Sequence, residues 1–261
     1  MTILRLQNKK SIAAIVLLLI LSAVCTRLGF WQLDRAEQRL AISAEIEAGR
    51  EQPALNLIPA PASVHHWQTA YATGRWRPDL TVLLENRNHQ GQPGYWLSTP
   101  LVLNSDTHDA LLVLRGWFKR DTPTPQLEDN KESVHVQGEL RSHVPRMYEL
   151  AKLWGPAAQT LPAHLPTADA QPPVLQNLEL TALQHATGLQ FRPYVLMLHE
   201  STPSENPNLI QAWPQPNLDA HQNRGYALQW FSFATIAGSA ALFLLWRRRR
   251  PTPTSDHTND A

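Results

Sequence analysis

Two long uncharged runs lie near the two ends of this 261-residue chain, and no other feature limits its folding as strongly. A helix of about 20 apolar residues crosses a hydrocarbon core of ~30 Å while satisfying its own backbone hydrogen bonds, so such runs mark membrane spans. The first run is Ser11–Thr26, centred on Ile12–Leu21 and preceded by Arg5, Lys9 and Lys10. With Leu28, Gly29, Phe30 and Trp31 at the interface and Arg27 snorkelling, the expected span is 11–31, after a cytoplasmic N-terminus of residues 1–10. A cleaved secretory signal shares the charged start and short apolar run. Val24 directly before Cys25, where a lipoprotein signal needs a small residue, and the lack of an Ala-x-Ala site favour retention.

The second run, Gly225–Trp246, holds twenty-two residues without a charge, closes on Arg247–Arg250, and carries Tyr226, Trp230 and Trp246 toward its ends. Aromatic residues at the margins and arginines beyond them are the arrangement of a membrane-crossing helix; a buried core helix seldom stays apolar all round for six turns. Residues 32–224, in contrast, hold 15 Lys+Arg and 20 Asp+Glu. By the positive-inside rule both termini are cytoplasmic and the acidic stretch lies on the far side. The expected location is a bacterial inner (plasma) membrane, crossed twice, with a periplasmic central domain and a basic, Pro-interrupted, disordered tail over 247–261.

Composition excludes other classes. The formal net charge of +1 provides no field to hold nucleic acid. One cysteine forbids an intramolecular disulfide or a CxxC site, and three methionines leave little for soft copper.

Residues 32–52 have good helix formers with apolar Leu33, Ala36, Leu40 and Ile46, and read as a helical stalk stopped by Gly49 and Pro53. Over 53–224 come runs with strand chemistry, bounded by turn signals: Gln68–Trp76, Leu80–Asn86, Tyr95–Leu103, Ala110–Phe118, Val134–Arg141 and Phe191–Glu200. The connections at 77–79, 88–93 and 104–108 are too short for helical crossovers, so the expected pairing is antiparallel. Asn177 is expected to cap a helix over Leu178–Thr187, with Gly188 as its stop. Six prolines over 145–175 point to a long irregular loop. The expected fold is a membrane protein: two transmembrane helices flank an antiparallel β-rich, α+β domain, possibly barrel-like and extracytoplasmic.

Signatures of chemistry are sparse. The sequence has no Gly-x-Ser-x-Gly, Ser-x-x-Lys, Gly-x-Gly-x-x-Gly or Walker loop. Its eleven histidines form no His-x-His or His-x-x-x-His, and no metal site is expected. Glu85, Asp106, Asp109, Glu139 and Glu200 are scattered, and no catalytic residue is assigned. His221, four residues before the second span, lies at the depth where a haem near the outer leaflet reaches an axial ligand.

Distinctive residues cluster instead at the edges of strands and spans. In order they are Leu28-Gly-Phe-Trp-Gln-Leu-Asp-Arg-Ala-Glu37, Gly74-Arg-Trp-Arg-Pro78, Leu83-Leu-Glu-Asn-Arg87, Gly91-Gln-Pro-Gly-Tyr-Trp-Leu-Ser-Thr-Pro-Leu101, Val113-Leu-Arg-Gly-Trp-Phe118 and Arg224-Gly-Tyr-Ala-Leu-Gln-Trp-Phe231. This set resembles the Surfeit locus protein 1 (Shy-one) family of cytochrome c oxidase assembly factors, over most of the chain and fading over about residues 120–175.

The resemblance implies a non-enzymatic membrane chaperone of respiratory complex IV biogenesis. Its implied cofactor is haem a, held transiently; its implied partners are the oxidase catalytic subunit and other assembly factors. The family's proposed haem ligand is a histidine three residues before the Tyr of Tyr-Ala-x-x-Trp, where this chain has Asn223. Either His221 substitutes for it or direct axial ligation is not how this protein works. Tyr226 and Trp230 are motif residues. Arg87 and Arg115 match motif arginines, either as partners of haem propionates or as anchors of strand ends to buried carboxylates. Trp76, Trp96 and Trp117 read first as packing residues. Ala234/Gly238 and Ala237/Ala241 have the small-xxx-small spacing that permits close helix approach, toward the first span or toward an oxidase helix. Two competing classes are a cofactor-free envelope scaffold and a membrane-anchored periplasmic hydrolase.

Overall fold

The computed structural model describes residues 2–127, 132–147, 160–168, 171–199 and 208–249, with side chains from residue 10 onward. The tail after Arg249, Glu200 at the end of the last expected strand, and much of the Pro-rich stretch 145–175 lie outside these residues. The chain divides into two units, residues 1–43 with 217–261, and residues 44–216.

The first unit is helical. Helix α1 runs without a break from Thr2 to Arg50, so the first apolar run and the residues after it form one helix. A later helix, Ala220–Arg249 (α3 in chain order), holds the second apolar run. Both are long and apolar enough to cross a membrane. Within this unit they pack through small residues. Ala227, Ala234, Ala237 and Ala241 are among the buried residues along α3, and a Cβ on Gly29 of α1 would sit 2.7 Å from the Phe231 ring. Phe30 meets Phe231 edge-on at 5.3 Å, and the Ser22 hydroxyl donates to the Ala234 carbonyl at 2.9 Å. The small-xxx-small face of α3 therefore packs on the first span.

The second unit is β-rich. Its strands are β1 (Leu55–Asn56), β2 (Thr69–Trp76), β3 (Val82–His89), β4 (Gln92–Asn104), β5 (Asp109–Lys119), β6 (Val134–Arg141), β7 (Val174–Leu175) and β8 (Gln190–Leu198), with helix α2 (Leu180–Thr187) before β8. Five of them close a ring in the order β2-β6-β8-β5-β4, sealed by a β4–β2 pairing. β3 pairs with β4 outside the ring and carries β7; β1 pairs with β2.

Alternation places one face of each ring strand inside. Ala70, Ala72 and Trp76 of β2, Leu111 and Val113 of β5, Val136 and Leu140 of β6, and Leu196 of β8 form the barrel interior. β5 is buried almost end to end because its other face, Ala110, Leu112, Leu114 and Trp117, is also covered, there by Leu183 and Ala186 of α2 and by Leu178 and Leu189. Each fully buried leucine contributes roughly 1.5–3 kcal/mol relative to exposure.

The expected strand windows match the observed strands to within a few residues, and the barrel is closed. Three differences are informative. Pairing is antiparallel across the short β3–β4 and β4–β5 connections, but β5–β8, β1–β2 and β3–β7 are parallel. A short connection dictates an antiparallel return; residues 57–68 lie between β1 and β2, and β6, β7 and α2 lie between β5 and β8. Asn177 does not cap α2, which starts at Leu180. Its side chain instead accepts from the Met147 N–H at 2.7 Å and donates to the Met147 carbonyl at 2.9 Å. The region expected as a six-residue connection at 88–93 is mostly strand. β3 and β4 run to a two-residue turn, Gln90-Gly91, with φ of 51° and 81°, the left-handed pair a tight hairpin requires.

Candidate functional site

The candidate residues fall in both units. In the helical unit, Asp219 begins α3: its Oδ1 accepts from the N–H groups of His221 (3.0 Å) and Gln222 (3.2 Å), an N-cap that satisfies two otherwise orphaned donors. The His221 side chain is exposed on the first turn. At ~100° per residue, Asn223 lies about 200° further round the helix. There it is buried, and its Nδ2 donates to Gln32 Oε1 of α1 at 2.7 Å while its own Oδ1 has no partner among the described residues. The family histidine position is thus turned into the helix pair, and His221 faces away from it. His221 shares its side of α3 with exposed Arg224 and Leu228. Tyr226 and Trp230 form a separate stripe one turn apart; Tyr226 is exposed and Trp230 stands edge-on to Phe233 at 6.1 Å.

The two candidate arginines lie in the β-rich unit, and both are buried. Arg87, 2% exposed, places its guanidinium 4.4 Å above the Trp96 ring and donates to the Gln176 carbonyl at 2.9 Å. Its Nε has no partner among the described residues, and desolvation lowers its pKa to about 10. A carbonyl and an indole hold this cation; no carboxylate contacts it among the described residues. Arg115, 3% exposed, lies 4.4 Å above the Trp76 ring. Around Arg87 the packing is aromatic: Trp117 Nε1 donates to the Arg87 carbonyl at 2.9 Å, and Trp213 meets Trp96 edge-on at 5.3 Å. Trp76, Trp96 and Trp117 are core residues.

These placements bear on haem. A propionate is a solvated carboxylate, and neither Arg87 nor Arg115 offers it a reachable guanidinium, so the arginines do not fit that role. The His221 imidazole is exposed and has no hydrogen-bond partner among the described residues, so it is open to a ligand. No group of three His, Cys, Asp or Glu side chains able to hold a metal occurs among the described residues.

Two arrangements carried no sequence signal strong enough to find them. One is Gln32, which sits inside a noted motif but whose partner is 191 positions away. The other joins the end of α1 to β6: Arg141 stacks 3.1 Å over the Trp67 ring and bridges Glu139 at 2.7 Å, and Glu139 also takes Arg50 at 3.0 Å. Desolvation lowers the Arg141 pKa to about 10, against the opposing pull of Glu139. A hydrolase would need a nucleophile, a base and a group to orient the base. Ser142 Oγ lies 2.8 Å from His143 Nδ1, but the two are exposed sequence neighbours, and Glu179, which lines the same cavity, is paired with Arg146.

The comparisons with known proteins agree with one another. Residues 19–235 match the model of the SURF1 family. A SURF1-like protein of Rickettsia felis is 25% identical over 237 residues, covering 89% of this chain and 96% of that protein. One of Rickettsia conorii is 26% identical over 237 residues, covering 89% and 90%. An uncharacterized SURF1-like protein of Mycobacterium tuberculosis is 23% identical over 231 residues, covering 81% and 74%. The match runs from within the first apolar helix, through all the strands of the closed barrel, into the second apolar helix, and the chain belongs to the SURF1 family.

Proposed function

We propose that this chain is an assembly factor for haem–copper cytochrome c oxidase, aiding delivery or retention of haem a while the catalytic subunit matures. The observation that carries the reading is family membership over residues 19–235, in a family known for oxidase assembly. The architecture supports it: two apolar helices give a hydrophobic macrocycle a surface of matching polarity, and the barrel offers a rigid surface to other assembly factors. In this reading the chain crosses a bacterial inner membrane twice, termini inside, with the acidic barrel in the periplasm. The four arginines that follow Trp246 and the basic residues before Ser11 support that orientation. Haem a, when bound, supplies the iron porphyrin the oxidase needs, and the exposed imidazole of His221, beside the second apolar run, would hold it. The role is non-enzymatic.

Deleting the protein is expected to reduce spectrally detectable haem a in membranes while oxidase transcripts persist; an unchanged oxidase spectrum counts against the assembly role. His221→Ala is expected to shift or abolish the Soret band of protein purified with haem a. A band that ignores this change, but appears or strengthens in Asn223→His, removes His221 as the ligand and leaves the assembly role standing. Reporter fusions at the tail and mid-barrel test the orientation, which fails if the tail fusion is active outside.

A further inference from the structure

β2 and β4 seal the barrel over only two residue pairs, Arg75↔Val102 and Trp76↔Leu101, and a cleft of about 430 Å³ opens where this ladder stops. Its lining includes the polar Arg75, Arg77, Ser105, His108 and Thr187 and the apolar Val102 and Leu189. The two guanidinium groups differ. Arg77 is held by Asp79 through bonds of 2.9 and 2.7 Å, which neutralise its charge. Arg75 is exposed, and neither it, the His108 imidazole nor the Ser105 hydroxyl has a hydrogen-bond or ion-pair partner among the described residues. Asp106, in the same turn, is not part of the lining.

The turn carrying these donors is preorganised. Asn104 Oδ1 accepts from the N–H groups of Asp106 (2.8 Å) and Thr107 (3.3 Å). His108 is held at φ 56°, and its carbonyl accepts from the Gln190 N–H at 2.8 Å. A non-glycine residue kept in the left-handed region by surrounding bonds is a recurrent feature of binding sites. The nearby end of α2 is closed by the Gly188 N–H bonding to the Gln184 carbonyl at 2.9 Å, which blunts the negative end of that short helix.

We propose that this cleft binds a carboxylate side chain of an acidic peptide segment on a protein partner. The guanidinium fork of Arg75 matches a planar carboxylate, with imidazole and hydroxyl donors beside it. One uncompensated cation balances a monoanion but not a phosphate dianion. The apolar Val102 and Leu189 in the lining suit the methylenes of a glutamate, and the volume exceeds what a small free anion fills. This proposal stands apart from the oxidase reading, and either can fail alone.

The test uses the full-length protein in detergent, a short fluorescent Glu-containing peptide and its Gln twin, read by anisotropy. The Glu peptide is expected to bind about tenfold more tightly than its twin, to weaken about tenfold in Arg75→Glu and a few-fold in His108→Ala, and to weaken with salt. Equal binding of the twins, or Arg75→Glu binding like the parent, overturns the proposal and leaves Arg75 a solvated surface cation. Complete displacement by inorganic phosphate at matched ionic strength also overturns it, in favour of a free oxyanion. Arg75→Gln, which keeps most of the side-chain volume, gives the same reading should the Glu variant melt early.

Discussion

The two units of this protein are built with opposite preferences about where large apolar side chains go. In the β-rich unit Leu84, Leu97, Leu111, Leu112 and Leu140 are fully buried, and alternation sends one side of each strand inward. In the helical unit Leu17, Leu228, Ile236 and Leu242 are 65–70% exposed, while the buried positions of α3 are alanines and one asparagine. Water selects the first pattern, since apolar area left outside costs about 25 cal/mol per Å². The second pattern suits lipid, where leucine gains nothing by hiding and helices associate through close backbone approach and a few hydrogen bonds. One chain thus carries designs for two solvents. Polar groups follow the same division: the barrel buries arginines beneath indoles, whereas the helix pair uses short side chains, Ser22 to the Ala234 carbonyl and Asn223 to Gln32.

The largest test of this contrast uses glycines. A Cβ at Gly138 would lie 2.2 Å from the Met197 carbonyl oxygen, and backbone in a closed ring cannot yield. Gly138→Val is expected to cost about 4 kcal/mol or more, seen as loss of the cooperative tryptophan-fluorescence transition in guanidinium. Gly29→Ala meets first the rotatable Phe231 ring and is expected to cost about 1–2 kcal/mol. Equal penalties would break the comparison.

Next in size is the leucine pair. Leu112→Ala, in a site with no exposure, is expected to lose about 3 kcal/mol; Leu228→Ala, 70% exposed, less than about 0.5 kcal/mol in detergent. A substantial loss at Leu228 would show that another part of a protein, not lipid, covers that face.

Arg87 sharpens the account of buried charge. Arg87→Ala is expected to cost about 2–3 kcal/mol, by leaving a cavity and removing the charged donor to the Gln176 carbonyl. Arg87→Met keeps volume and removes a desolvated charge, so about 1 kcal/mol or less is expected from the same denaturation curves. A larger loss in the Met variant would show that the cation over Trp96 contributes more than its burial costs. The smallest effect is the Asn223–Gln32 bond, for which a double-mutant cycle with leucine at each position should give about 0.6 kcal/mol of coupling.

Legibility followed range. The strand windows were readable because alternation and turn residues are local: Val134–Arg141 was located to the residue. Of the candidate site, the residue types were readable and their surroundings were not. Arg87 and Arg115 stood out in motifs, yet nothing near them in sequence shows that Trp96 and Trp76 roof them. The cap assigned to Asn177 failed because a distant segment, Met147, offered its amide and carbonyl to the same side chain. Arg75 was part of a noted motif, but its cleft is assembled from β2, the β4–β5 turn and the end of α2, which only the folded chain brings together.

By itself the sequence determined the two apolar helices, the strands and the division of charge between them, since each depends on side-chain periodicity and backbone hydrogen bonding within a few turns or residues. Tertiary structure alone decided that β8 lies parallel to β5 and that β2 meets β4 to close the ring, and therefore which side chains are enclosed. Those pairings join segments tens of residues apart. Their free energy depends on how well two distant surfaces fit, a quantity no local pattern encodes.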